Sequence, residues 1–311
     1  MILTCGDALF DVFATAGGSA SSVALDARVG GSPLNVAVAL SRLGQSTAFL
    51  SKISRDHLGR KLISYLESEG VHVDLIVRTD APTTLAIVAL DDKGVPTYSF
   101  YINGTADRSL AVPELPARLP DAVRVVHIGS YSTALEPTAA SLEALVTRER
   151  PRRFISYDPN IRPSIVPEPE VWRRRVAALT AQSHLVKASV EDIQFLYPGA
   201  PVESVLKDWL ARGAGIAVAT MGEVGAMAVT RHGVTARVSA RSVKVIDTVG
   251  AGDTFQAALL TWLGEHGRLS PDGLASLSAD DLDSLLTFAA RAAAITCSRR
   301  GADMPRRSEL S

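Results

Sequence analysis

The strongest chemical signal in the chain is the run Asp247-Thr248-Val249-Gly250-Ala251-Gly252-Asp253-Thr254-Phe255. Its pattern predicts a strand ending near Thr248, a turn of small residues, and a helix starting near Ala251. Glycine lets a backbone approach a ligand closely, and a helix start offers unpaired N–H groups with about half a positive charge. A phosphate or a developing oxyanion is held well at such a place. Asp253 falls in the first helical turn. If aimed at a bound alcohol, it can take the proton as that oxygen attacks phosphorus, help worth ~100- to 10,000-fold. Taken alone, an aspartate there more often only caps the helix and complements its dipole. The Walker pattern GxxxxGK[ST] is missing, and Gly250-Ala251-Gly252 lacks the third glycine of a dinucleotide fingerprint.

A second glycine turn, Gly30-Gly31-Ser32-Pro33-Leu34-Asn35, leads into another helix. Ser32 suits the N-cap and Pro33 the first helical position. Gly31 lets hydroxyl groups come close to the backbone, and Asn35 lies in the first turn, where its amide reaches a ligand in front of the helix. By itself this too is an ordinary, well-capped helix start.

The elements that must position these turns follow from periodicity. Strand-like residues fill 22–29 and 83–103, with Asp92-Lys93-Gly94 as a hairpin turn in the second. Helical patterns cover 33–43 and 57–69, each followed by a stopping glycine, Gly44 and Gly70. From about residue 120 strands and helices alternate: strands at 123–130, 153–160, 183–189 and 215–222, helices at 137–149 and 168–181. A hairpin around His232-Gly233 precedes the aspartate turn, and an Ala-rich helix covers about 280–297. A Ser/Asp-rich connector fills 268–281. Alternation of this kind predicts an α/β fold, a mostly parallel sheet flanked by helices on both faces.

Composition narrows the classes. The 311 residues suggest roughly two domains at ~150 residues each, or one large α/β domain. Hydrophobic residues make up 47% and charged residues 21%, which argues against a largely disordered chain. A formal charge of −1 gives no bulk attraction to nucleic acid or an acidic membrane. Cys5 and Cys297 form neither a disulfide framework nor a zinc cluster. The start MILTCGDALFDVF has no secretory pattern and no apolar run is long enough to span a membrane, so a cytoplasmic protein is expected. A nicotinamide dehydrogenase is disfavoured because the chain opens with GDALFD and a β region.

Together, GGSPLNVAVALSRLG (30–44) and DTVGAGDTFQAA (247–258) resemble the two signature segments of the ribokinase-like, or PfkB, carbohydrate kinases, in that family's order. The resemblance covers nearly the whole chain through Gly6 and Asp11, TTLAIVAL, SFYINGTAD, DPNIR (158–162), KASVED (187–192), TMGEVG (220–225) and RRGADMP (299–305). DPNIR with TTLAIVAL and FY…GTAD is most similar to fructokinases. The resemblance implies a single ribokinase-like domain over 1–311 with a small β-sheet lid formed by insertions around 12–29 and 83–105. It implies ATP-dependent phosphorylation of a sugar's primary hydroxyl, D-fructose first. The alternatives are 2-keto-3-deoxygluconate kinase or ribokinase, and, in another class, a non-catalytic sugar- or nucleotide-binding regulator.

Residue by residue, the resemblance makes Asp253 the catalytic base and the backbone N–H groups of Gly250, Ala251 and Gly252 the holders of the transferring phosphoryl. Arg162 would neutralise phosphate charge. Asp11, Gly31, Asn35 and Asn160 would bind sugar hydroxyls. Thr220, Gly222 and Gly225 match the nucleotide loop, and Lys187 would reach a phosphate or lie as a surface lysine at a strand end. Ser189 and Asp192 stand where many members carry an asparagine and a glutamate, with Asp192 organising magnesium through water. Asp247 resembles part of a monovalent-cation loop, so potassium is expected as a further cofactor. Ile102 departs from the family, since fructokinases often carry an arginine there. A homodimer through the lid is the remaining expectation, with sugar and ATP as the small-molecule partners.

Overall fold

The structure, a computed structural model, describes residues 1–19, 21–90 and 96–310, so the expected Asp92-Lys93-Gly94 turn lies outside the described residues. The strands are β1 (Ile2–Cys5), β2 (Leu9–Ser19), β3 (Ser22–Gly30), β4 (Thr47–Leu50), β5 (Lys52–Ser54), β6 (Val77–Thr79), β7 (Thr84–Leu90), β8 (Pro96–Tyr101), β9 (Val125–Gly129), β10 (Phe154–Asp158), β11 (Leu185–Ser189), β12 (Ile216–Thr220), β13 (Ala226–Thr230) and β14 (Thr235–Val238). The helices are α1 (Ser32–Arg42), α2 (His57–Ser68), α3 (Thr138–Glu149), α4 (Pro169–Thr180), α5 (Val190–Leu196), α6 (Val202–Arg212), α7 (Ala251–Glu265), α8 (Pro271–Ala275) and α9 (Ala279–Cys297).

Eight strands form the main sheet in the order β14-β13-β12-β11-β10-β9-β1-β4. From β12 to β4 neighbours run parallel; β13 and β14 turn back antiparallel at one edge. The parallel strands read as unbroken apolar runs because both faces are covered. Ile2, Val125, Phe154, Leu185 and Ile216 pack with α1, α2, α7 and α9 on one face. Their neighbours Leu3, Val126, Ile155, Val186 and Ala217 pack with α3 to α6 on the other. Alternate residues of each strand thus feed two separate cores.

A second sheet of four strands, in the order β3-β2-β7-β8, is built from the two separate segments that the sequence assigned to a lid. Its register puts Val29, Phe10, Leu85 and Tyr101 in one row on one face, and Arg28, Asp11, Ala86 and Phe100 in the next row on the other. A two-stranded sheet, β5-β6, was not expected.

Three local expectations fail. Residues 241–248 make no strand: Ile246 and Asp247 N–H both donate to the Cys297 carbonyl at the end of α9, and Val245 and Ile246 are exposed. Apolar residues there mimic a strand, but the Ile246 and Asp247 donors go to a helix end. Ser32 is the first residue of α1 and Gly31 its N-cap, because the Ser32 N–H donates to the Asp7 carboxylate (3.2 Å). The connector 268–281 contains α8, capped by Ser270.

Candidate active site

The C-terminal ends of the parallel strands converge on one edge of the sheet, where open α/β folds bind ligands. Cys5 leads into Gly6 and Asp7, Asp158 into Asn160 and Arg162, β11 ends at Ser189 and β12 at Thr220. The two helix starts of α1 and α7 meet above this edge.

Asp253 is buried between them. Its Oδ1 accepts the Ser32 hydroxyl (2.6 Å) and, more loosely, the Asn160 amide (3.4 Å), while its Oδ2 accepts the Asn35 amide (2.8 Å). Residues more than 200 positions apart in sequence therefore share one carboxylate. Oδ2, with a single donor, keeps a lone pair for a further one, so a bound alcohol can hand over a proton here.

Gly250 caps α7 in the left-handed region (φ 78°), and a methyl group there would meet Ala302 at 2.8 Å. The Ala251 N–H donates to Thr248 O (3.2 Å), so of the three expected phosphoryl donors this one is already engaged. Beneath the turn Lys187, only 3% exposed, pairs with Asp158 (2.8 Å) and donates to the Gly252 carbonyl (3.2 Å). The surface-lysine alternative is thereby removed. One turn along α7, buried Gln256 donates to Ser156 of β10 (2.8 Å) and ties the helix to the sheet.

The first glycine turn is equally tight. A Cβ on Gly31 (φ 107°) would lie 2.6 Å from the Asp7 carbonyl oxygen, so only glycine fits. Asp7 is buried, and desolvation first, then the charge of Asp107, pushes its carboxyl up to about 7; Arg162 and Ser132 oppose this. Asp107 is itself held by Thr84, Thr105 and Tyr131 and is raised by burial. Asp11 projects from β2 on the face shared with Arg28. Burial moves it up to about 6, with Arg162 opposing and Asp253 adding to the shift. Arg162 donates to Asn160 Oδ1 (2.6 Å) and to the Ile161 carbonyl (3.1 Å). Asn160 itself has positive φ (37°).

Further along the edge, Asp192 accepts from the Ser189 and Ile161 N–H groups (3.1 and 2.8 Å), while its own N–H donates to the Ser189 hydroxyl. The pair is a capping box for α5 that also fixes the DPNIR loop. Gly222 and Gly225 flank a tight turn after Thr220, and a Cβ on Gly225 would strike the Val238 carbonyl. Asp247 accepts from Val249 and Gly301 N–H (3.1 and 2.8 Å), linking the α7 turn to the C-terminal loop. Ile102 is buried in the core, away from solvent. Among the described residues, no three His, Cys, Asp or Glu side chains are grouped to hold a metal, and no helix is long and apolar enough to cross a membrane.

Sequence reasoning brought most of this cluster together but missed Asp7 and Asp158, and treated Ser32 only as a cap. Asp7 and Asp158 sit inside motifs already singled out, GDALFD and DPNIR; nothing in the sequence tells that Ser32 points at Asp253 rather than at its own helix.

A buried aspartate beside a glycine-capped helix start, in one cleft of a doubly covered parallel sheet, suits transfer of a phosphoryl group to a hydroxyl. The chain matches the profile of the pfkB family carbohydrate kinases over residues 2–308. It is 36% identical to a fructokinase of Rhizobium leguminosarum bv. trifolii over 91% of this chain and 85% of that one. The fold superposes on an ATP-bound fructokinase of Xylella fastidiosa with TM-score 0.89 and 29% identity, covering 99% of this chain and 96% of that one. A fructokinase double mutant of Vibrio cholerae O395 with fructose, ADP and potassium ion bound gives TM-score 0.84 at 25% identity, covering 99% and 96%. This chain belongs to the pfkB family of carbohydrate kinases and has the ribokinase-like fold.

Proposed function

We propose that this protein is an ATP-dependent fructokinase working in the cytoplasm, and that Asp253 is its base. The observation that carries the reading is the convergence of Ser32, Asn35 and Asn160 on the Asp253 carboxylate at the α7 turn. The primary hydroxyl oxygen of the sugar attacks the γ-phosphorus; the new O–P bond forms as the bond to the ADP oxygen breaks, and the hydroxyl proton passes to Asp253. Gly250 and Gly252, with Ala251 between them, present their N–H groups to the transferring phosphoryl, and Arg162 turns from its own loop to the phosphates. Asp11, Gly31, Asn35 and Asn160 hold the sugar hydroxyls. Thr220, Gly222, Gly225 and Ser189 line the nucleotide, with Lys187 acting on the phosphates from below the turn.

Magnesium fits as a hydrated ion on the nucleotide. Both Asp192 oxygens already accept backbone N–H groups, leaving lone pairs suited to water rather than to a bare metal. The ion would supply neutralisation of phosphate charge. Asp247 fits a monovalent cation in the same way, its carboxylate fixing the loop whose carbonyls are the further oxygen donors. The whole chain acts as one unit, and the four-stranded sheet closes over the sugar and excludes water. Its outer face exposes Val23 (66%), Leu25 (51%) and Tyr101 (60%), a fit for a second copy of the chain.

ADP release over fructose, 2-keto-3-deoxygluconate, ribose and adenosine tests the reading, with fructose expected to give the highest kcat/KM. Background rates on all four would turn it toward a binding regulator. Potassium is expected to raise the fructose rate; equal rates with and without it would remove Asp247 from the scheme.

A further inference from the structure

We propose that Ser32 is a positioning residue for Asp253, dedicated to holding the plane of the base's carboxylate when the sugar is bound. The inference rests on the reading of Asp253 as the base.

Ser32 is buried and, as the first residue of α1, has its N–H taken by Asp7. Its hydroxyl does not serve its own helix; it crosses to α7 and donates to Asp253 Oδ1 at 2.6 Å, a distance typical of a hydroxyl bound to a carboxylate. Asn35, three residues on and therefore on the same helix face, donates to Oδ2 at 2.8 Å. One face of α1 thus grips both oxygens. A single donor would leave the carboxylate free to turn about its terminal torsion, which is broad and soft, whereas two donors from one rigid helix fix it.

The two donors have different duties. Asn35 is also placed to serve a sugar hydroxyl, and Asn160, at 3.4 Å from Oδ1, is too far for a strong bond. With the sugar seated, Asn35 divides its amide between the sugar and Oδ2, whereas the Ser32 hydroxyl serves Asp253 Oδ1 alone. Asp7 in turn fixes Ser32: its carboxylate accepts the Ser32 N–H, and its backbone carbonyl packs against Gly31 so closely that no side chain fits between. The path from β1 to the base therefore runs Asp7, Ser32, Asp253. A misaligned base slows proton transfer without weakening substrate binding, so the loss belongs in kcat.

The test uses Ser32→Ala, which removes the donor, and Ser32→Cys, which keeps a single γ atom in place as a larger, weak donor. Both are expected to lower kcat by ~10-fold or more, with KM for fructose and for ATP within about 2-fold of the parent. A Ser32→Cys enzyme with unchanged kcat would show that shape and not donation matters, and would overturn the inference. So would a loss carried by the fructose KM, which would make Ser32 a sugar contact. Asp253→Asn, assayed alongside, separates the two levels. Retained turnover in that variant sinks the assignment of the base. Lost turnover there with normal kcat in Ser32→Cys sinks only the role of Ser32.

Discussion

The two glycine-led helix starts do opposite jobs with the same material, and each is braced from below by a buried charge. At α7 the turn presents backbone to the cleft, and its brace, Lys187, has a counter-charge in Asp158 at 2.8 Å. At α1 the turn presents side chains, Ser32 and Asn35, and its brace, Asp7, makes no ion pair among the described residues; burial and the charge of Asp107 outweigh the opposing Arg162. A paired charge is an asset until one member is removed. An unpaired one makes its turn sensitive to pH. Burial raises both acids, Asp158 to about 6 and Asp7 to about 7, so the α7 side of the cleft differs from the α1 side in having a cation seated against its acid.

The largest effect is expected where the two turns join. Asp253→Asn should lower turnover ~100- to 10,000-fold while ATP affinity, followed by titration calorimetry, stays put. Next comes the α7 brace. Lys187→Met leaves Asp158 buried without its cation and should lower unfolding free energy by about 3–5 kcal/mol in urea melts, with much of this regained when Asp158→Asn is added. If the single and double variants melt alike, the pair is not what holds the turn.

Glycine substitutions compare a forced turn with a merely permissive one. Gly31→Ala meets both a positive φ and the Asp7 backbone, whereas Gly222→Ala meets positive φ (53°) but open space. About 1–2 kcal/mol is expected for Gly222→Ala from conformation alone, and clearly more for Gly31→Ala. Equal costs would mean the α1 turn relaxes away from Asp7.

The smallest effect concerns Asp7. Its carboxyl titrates near 4 in an unfolded chain but is pushed up to about 7 in the fold. Between these values the folded state keeps a proton that the unfolded state has lost, so stability falls as pH rises through this window. Asp7→Asn removes that slope. The variant should gain on the parent by a few degrees in Tm between pH 5 and pH 8; parallel profiles would place the sensitivity elsewhere.

Much of this was legible in the sequence, and the reason is local. The buried parallel strands announce themselves as apolar runs, and glycine turns that need positive φ or close approach leave glycine in the chain. Hence the alternating layout and both glycine-led helix starts could be read directly, while a role for Asp253 rested on the family resemblance. What the sequence withheld is direction. Val243, Val245 and Ile246 look like a strand, but the hydrogen bonds of that segment go to the end of α9. Ser32 looks like a cap, but its hydroxyl leaves its helix. Lys187 at the end of an apolar run reads the same whether it points out or under the turn. Ile102 departs from the family's arginine, and its burial could not be inferred from a lone substitution. The first three are decided by distant partners, Cys297, Asp253 and Asp158, where local pattern carries no information.

The loop around Gly301 gives the α7 turn one of its walls: Ala302 lies against Gly250, the Gly301 N–H is bound by Asp247, and Arg42 of α1 grips Asp303 and the Met304 carbonyl. During synthesis on a ribosome, the sugar-side turn at 30–35 is complete some 250 residues before this wall exists. A growing chain can therefore lay down every strand of its main sheet before the residues that wall the α7 turn are made.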